Sequence, residues 1–103
     1  MTLWLAALAL QAAAPDEEML ALTACQFALS REESAKRTRV ERFRVLLDAS
    51  CRGEADAFFS RAVAFFHARG LSPDEARDEA RRLMAESDAV MVDSYARILT
   101  LTH

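Results

Sequence analysis

Cys25 and Cys51 are the residues with the most chemistry to offer, and their 26-residue separation decides what that chemistry is. A redox C-x-x-C pair, a C-x-x-C-H haem attachment or a thiolate zinc set needs closer or more numerous ligands than this chain carries. An even cysteine count in an oxidising compartment points instead to a disulfide. Closing a loop of that length stabilises a small fold by about 3.5 kcal/mol in the chain-entropy account. Two buried thiols, or a bridge between two chains, are the competing readings.

The other reactive groups are sparse. His67 and His103 are the only imidazoles. Neither has cysteine or carboxylate partners at ligand spacing, so no metal is expected. His67 falls opposite the phenylalanines of its helix, on the solvent side. Acidic pairs occur at Glu32/Glu33, Glu54/Asp56, Asp74/Glu75 and Asp78/Glu79. Acid–base catalysis would require one of these carboxyls desolvated in a cleft. Helix termini and i,i+4 pairing, such as Asp78 with Arg82 or Glu41 with Arg37, account for them more simply. There is no glycine-rich phosphate loop, no G-x-S-x-G and no H-E-x-x-H. The expectation is therefore a chain without catalytic residues, cofactor or metal.

Basic charge is nearly all arginine, twelve residues against the single Lys36, and six of the thirteen bases lie between Arg31 and Arg44. The net charge of −3 and the leader described below count against nucleic acid. The basic stretch reads as a solvated face laced with glutamates, with anionic headgroups or an acidic partner as the functional alternative. Phe58, Phe59, Phe65 and Phe66 form the heaviest apolar block. Positions i, i+1, i+7 and i+8 make a face wide enough for two neighbours. They serve either the core or an interaction face for a protein partner or a second copy, with Val45 and Val63 at the flanks.

These residues need elements to hold them. Fifty-two per cent of the 103 residues are hydrophobic and 28% charged, and glycine and proline occur twice each. That composition suits one folded domain and leaves too few turn residues for a sandwich or barrel. Residues 1–14 carry no charged side chain. Leu3-Trp4-Leu5-Ala6-Ala7-Leu8-Ala9-Leu10 followed by Ala12-Ala13-Ala14 has the shape of a secretory signal peptide. It is too short to span a bilayer. Pro15 disfavours cleavage after Ala14, so cleavage after Ala12, or an uncut anchor, is the alternative. Membrane contact is expected only in the uncut case. Residues 15–103 then form a single helical domain.

Pro15-Asp16-Glu17-Glu18 opens a first helix whose acidic turn complements the dipole. Leu22, Cys25 and Leu29 share one side of it, and Leu20, Ala24 and Phe27 share another. A helix apolar on two sides is expected between neighbours. Thr38 lies 13 residues from each cysteine, so a reversal at 36–39 brings both level on antiparallel helices, within disulfide reach. Thr38-Arg39-Val40-Glu41 supplies a capping-box pattern there. Val40, Phe43, Leu47, Cys51, Phe58, Ala62 and Phe65 continue one stripe through Gly53. That predicts one helix over 38–69, kinked at Gly53 or broken there into two. Gly70-Leu71-Ser72-Pro73-Asp74-Glu75 predicts a glycine helix end and a capped restart, with a last helix from Pro73 to Leu101. Ser87 and Ser94 in its apolar stripe leave room for another helix.

The fold class is all-α: a long antiparallel helix hairpin plus a shorter N-terminal helix tied to it by one disulfide. A signal peptide, a helix with one cysteine, a second cysteine about 25 residues on and Glu54 three residues beyond it look like a loose class of small bacterial proteins of unknown function. Leu71-Ser72-Pro73-Asp74-Glu75 is similar to the Leu-Thr-x-x-Gln pattern of helical periplasmic stress-adaptor and chaperone proteins, with Ser for Thr and Glu for Gln. That likeness implies an exported chaperone-like role. The expectation from the whole chain is a periplasmic or secreted, non-enzymatic binding, adaptor or structural module of the envelope. A membrane-tethered factor with the leader retained is the runner-up.

Overall fold

The computed structural model describes residues 13–101. Residues 1–12, on which the expected leader falls, and residues 102–103, with His103, lie outside the described residues. Four helices follow in order: α1 (Asp16–Ala35), α2 (Val40–Ser50), α3 (Arg52–Ala68) and α4 (Pro73–Leu101). They form an up-down-up bundle of three rods, in which α2 and α3 together make the descending rod. The most extensive packing joins α3 to α4, and α1 lies chiefly on α3.

Each end of α1 has a local cause. Asp16, Glu17 and Glu18 fill its first turn, where negative charge meets the positive end of the helix dipole. Its other end closes as a Schellman motif: the Thr38 N–H donates to the Glu33 carbonyl and the Arg37 N–H to that of Ser34. Arg37 occupies the left-handed position at φ 56°, where glycine is usual. The reversal therefore falls within 36–39, as the level-cysteine argument requires. The Thr38 capping box does not form, because Arg39 holds the N-cap position and the Thr38 hydroxyl donates to Glu33 Oε1 at 2.7 Å instead.

The descending rod is broken, and the break lies at Cys51, two residues before the glycine expected to kink it. Cys51 leaves helical geometry at φ −108° and ψ 23°. Its N–H still donates to Leu47 and its carbonyl accepts from Ala55, so the rod bends without a loop. Gly53 sits inside the first turn of α3 with open space around it. The bend is thus set at the residue that reaches across to α1.

The second turn matches its sequence signals. Gly70 takes φ 104°, the Leu71 N–H donates to Phe66 and the Gly70 N–H to His67, completing a second Schellman motif. Ser72 and Glu75 exchange the two bonds of a capping box at 2.9 and 3.2 Å. The Ser72 backbone N–H, with its hydroxyl, holds the Glu75 carboxyl below the usual carboxylate range. A Cβ at residue 70 would meet nothing within 4 Å, so Gly70→Ala isolates the backbone cost. The expected loss is about 1–2 kcal/mol of stability, read as a shift in urea midpoint with unchanged slope.

The core has two layers. Leu29, Phe43, Leu47, Met91, Val92 and Tyr95 fill the layer beside α2. Leu22, Cys51, Phe58, Ala62 and Ala80 fill the layer beside α3. Ala62, Ala76 and Ala80 are fully buried, and their small side chains let α3 and α4 approach closely.

Candidate functional site

The disulfide is present. Cys25 and Cys51 are joined with their Cα atoms 5.9 Å apart. Cys51 is buried beneath α1, whereas Cys25 is half-buried and borders an open groove with Ala24, Ala28, Leu46 and Ser50. The bridge therefore ties the middle of α1 to the bend of the descending rod.

A buried polar seam, which sequence reasoning missed, runs along the same helix. Gln26, Ser30 and Glu33 lie at i, i+4 and i+7 on the α1 face turned inward, and all three are buried. Gln26 donates through Nε2 to Asp88 Oδ1 at 3.0 Å, joining α1 to α4. Glu33 receives the Thr38 hydroxyl and an ion pair from Lys36 at 3.3 Å. The Thr38 hydroxyl bond, followed by the Lys36 charge, holds the Glu33 carboxyl below its ordinary range. The Tyr95 hydroxyl donates to the Thr38 carbonyl, and burial raises its pKa. The Ser30 hydroxyl has no hydrogen-bond partner. Only the continuation of the Leu22 spacing through 26, 30 and 33 hinted at this seam, and no composition rule marks such residues as internal.

Burial raises Asp88, and the Gln26 amide only partly offsets that effect. The raised folded-state pKa means that folding favours the protonated carboxyl. Its contribution to stability is present below the unfolded carboxylate range and is lost as pH rises through the folded value. Asp88→Asn keeps an acceptor for Gln26 and removes the ionisation. The variant is expected to be more stable than the parent at neutral pH, with the difference shrinking on acidification. Urea midpoints for both proteins at pH 7 and about pH 3 check this.

The four phenylalanines are not gathered on one open face. Phe58 is fully inside, packed with Leu22, Cys51, Ala62 and Ala80. Phe59 and Phe66 lean half-buried against that layer, and Arg81 lies 5.9 Å above the Phe59 ring. Phe65 meets Phe66 edge-on at 5.5 Å and carries the Arg69 guanidinium at 4.2 Å. Among the described residues the large apolar side chains that stand exposed are Leu20, Phe27, Val45, Val90 and Leu101. His67 is exposed, and its Nδ1 lies 3.0 Å from the Leu71 carbonyl.

The acidic residues act as helix-surface partners. Asp48 pairs with Arg52 at 2.9 Å, Asp78 with Arg81 at 3.0 Å, and Glu79 and Glu86 both with Arg82. The longest-range ion pair joins Glu18 to Arg61 at 2.9 Å and fixes the start of α1 on α3. Among the described residues no group of three or more His, Cys, Asp or Glu side chains could hold a metal ion, and no helix is long and apolar enough to cross a membrane. What the arrangement offers chemically is a covalent staple, a polar seam that sets helix register, and an apolar outer surface. No family model, curated protein or solved structure matches this chain.

Proposed function

We propose that the chain is a small exported helical protein that works as a non-enzymatic binding, adaptor or structural module of the cell envelope. The observation that supports this most is the Cys25–Cys51 bridge, which ties α1 to the residue where the descending rod bends. Such a bond persists in oxidising compartments and is rare where glutathione keeps thiols reduced. The apolar leader supplies the route there. The exposed apolar residues of α1 and α4 give the module a surface to use.

Intact mass of protein taken from its native compartment, measured with and without reductant, tests the proposal. A cut leader and a two-dalton gain on reduction are expected. A full-length chain with a bridge would favour the tethered form of the same module. A full-length chain in the cytosol with both thiols free would overturn the proposal.

A further inference from the structure

The second apolar side of α1, which the sequence placed against a neighbour, stands exposed among the described residues. Leu20 is 70% and Phe27 53% exposed, and Val90 on α4 is 66% exposed. These side chains share one surface. Gln26 bonds to Asp88 and Arg37 to the Leu99 carbonyl, each across 62 residues, so α1 and α4 run parallel in a fixed register. That register puts Leu20 level with Arg82 and Phe27 level with Ala89, each one residue before an apolar side chain, Leu83 and Val90. At 100° per residue, Leu20 and Phe27 lie on the outer rim of α1 beside α4; on the facing side of α4 stand exposed Val90 and Leu83, the latter half-buried against the α3 core layer. Half-buried Ser87 lies between Leu83 and Val90.

Charge says what covers this surface. The same stripe of α1 opens with Asp16 and closes with Arg31, both exposed and neither in an ion pair with a described residue. The stripe therefore reads acid, Leu20, Thr23 and Ala24, Phe27, base. It is self-complementary when reversed: residues 16 and 31, 20 and 27, and 23 and 24 share one midpoint.

We propose that the chain forms an antiparallel two-fold dimer through this α1–α4 face, with Thr23 and Ala24 at the axis. This deepens the reading of an interaction module, and rests on it, by naming a second copy as the partner. Asp16 of one copy meets Arg31 of the other at both ends of the contact. The small Thr23 and Ala24 let the two α1 helices approach. Phe27 of each copy seats between Leu20 and Leu83 of its partner, and Leu20 seats between Phe27 and Val90. Reversing one copy also opposes the dipoles of the two α1 helices, which favours the antiparallel arrangement over the parallel one. The contact is isologous, so it closes at two copies and leaves no open end.

Sedimentation equilibrium on the purified, oxidised protein tests this. A dimer with a micromolar dissociation constant is expected. Phe27→Glu and Leu20→Glu should each weaken it by roughly 30-fold or more, with far-UV circular dichroism and urea midpoint near those of the parent because both sites are exposed. Asp16→Arg or Arg31→Asp alone should weaken it by about fivefold, and the two together should restore it. A monomer at every attainable concentration, a dimer indifferent to Leu20→Glu and Phe27→Glu, or a double charge reversal weaker than either single one would overturn the proposal. A monomer would leave the exported-module reading standing. A cytosolic chain with free thiols that still dimerises would do the reverse.

Discussion

Removing the Cys25–Cys51 bridge is expected to lower the free energy of unfolding by about 3.5 kcal/mol. The comparison is urea unfolding of the native protein with that of the Cys25→Ala, Cys51→Ala double variant, or of the native protein in reductant. The bridge closes a loop spanning the end of α1, the reversal at 36–39 and the whole of α2. Without it the unfolded chain gains freedom, while the folded chain loses the link between α1 and the bend. A single domain of this size has roughly 5–15 kcal/mol in total, so the loss removes a large share. The slope of unfolding free energy against urea should also rise, because an uncrosslinked unfolded chain exposes more surface. An unchanged midpoint would show that the helices hold α1 without the sulfurs.

Tyr95→Ala carries the largest expected effect of any single truncation, about 4 kcal/mol. Tyr95 is fully buried and stacks on Phe43 with ring centroids 3.9 Å apart and planes 6° from parallel. Truncation would leave a void facing Phe43, Leu47 and Val92 in the layer that joins α2 to α4. The hydroxyl adds a separate role, since it satisfies the Thr38 carbonyl in the turn that leads from α1 to α2. Tyr95→Phe keeps the ring and should cost about 1–2 kcal/mol, the price of leaving that carbonyl unpaired. Urea midpoints of the two variants separate packing from hydrogen bonding. Equal losses would mean that the ring contributes little.

Both turns and the last helix were legible in the sequence for local reasons. Gly70, Ser72, Pro73 and Glu75 each favour one backbone state, and together they allow little besides a helix end and a capped restart. The reversal at 36–39 was legible because a disulfide makes a geometric demand that two cysteines on antiparallel helices can meet only if they are level. The bend at Cys51 was not legible. Cysteine carries no helix-ending signal, and Gly53 two residues away carries a false one, since its first-turn position in α3 asks nothing of it.

The inner face of α1 was legible only in part. Leu22 and Leu29 were placed correctly by spacing, but Gln26 and Glu33 are buried with partners outside α1, and Ser30 is buried with none. Gln26 depends on Asp88, and Glu33 on a threonine that looked like the cap of the next helix. Phe58, Phe59, Phe65 and Phe66 show the reverse problem: hydrophobic weight located a core-facing helix but did not say which rings face out. The exposed side of α1 was visible as Leu20, Ala24 and Phe27, and only the fold shows that it stands open among the described residues.

The turn at residues 36–39 holds Lys36, Arg37 and Arg39, all exposed, between the two cysteines. An endopeptidase with a preference for basic residues would meet a ready substrate there. Its cut would divide the molecule without dispersing it, since the sulfur link spans the nick. The clipped form would keep its full weight until a thiol is added and only then fall into two pieces, so a routine non-reducing gel would score damaged material as whole.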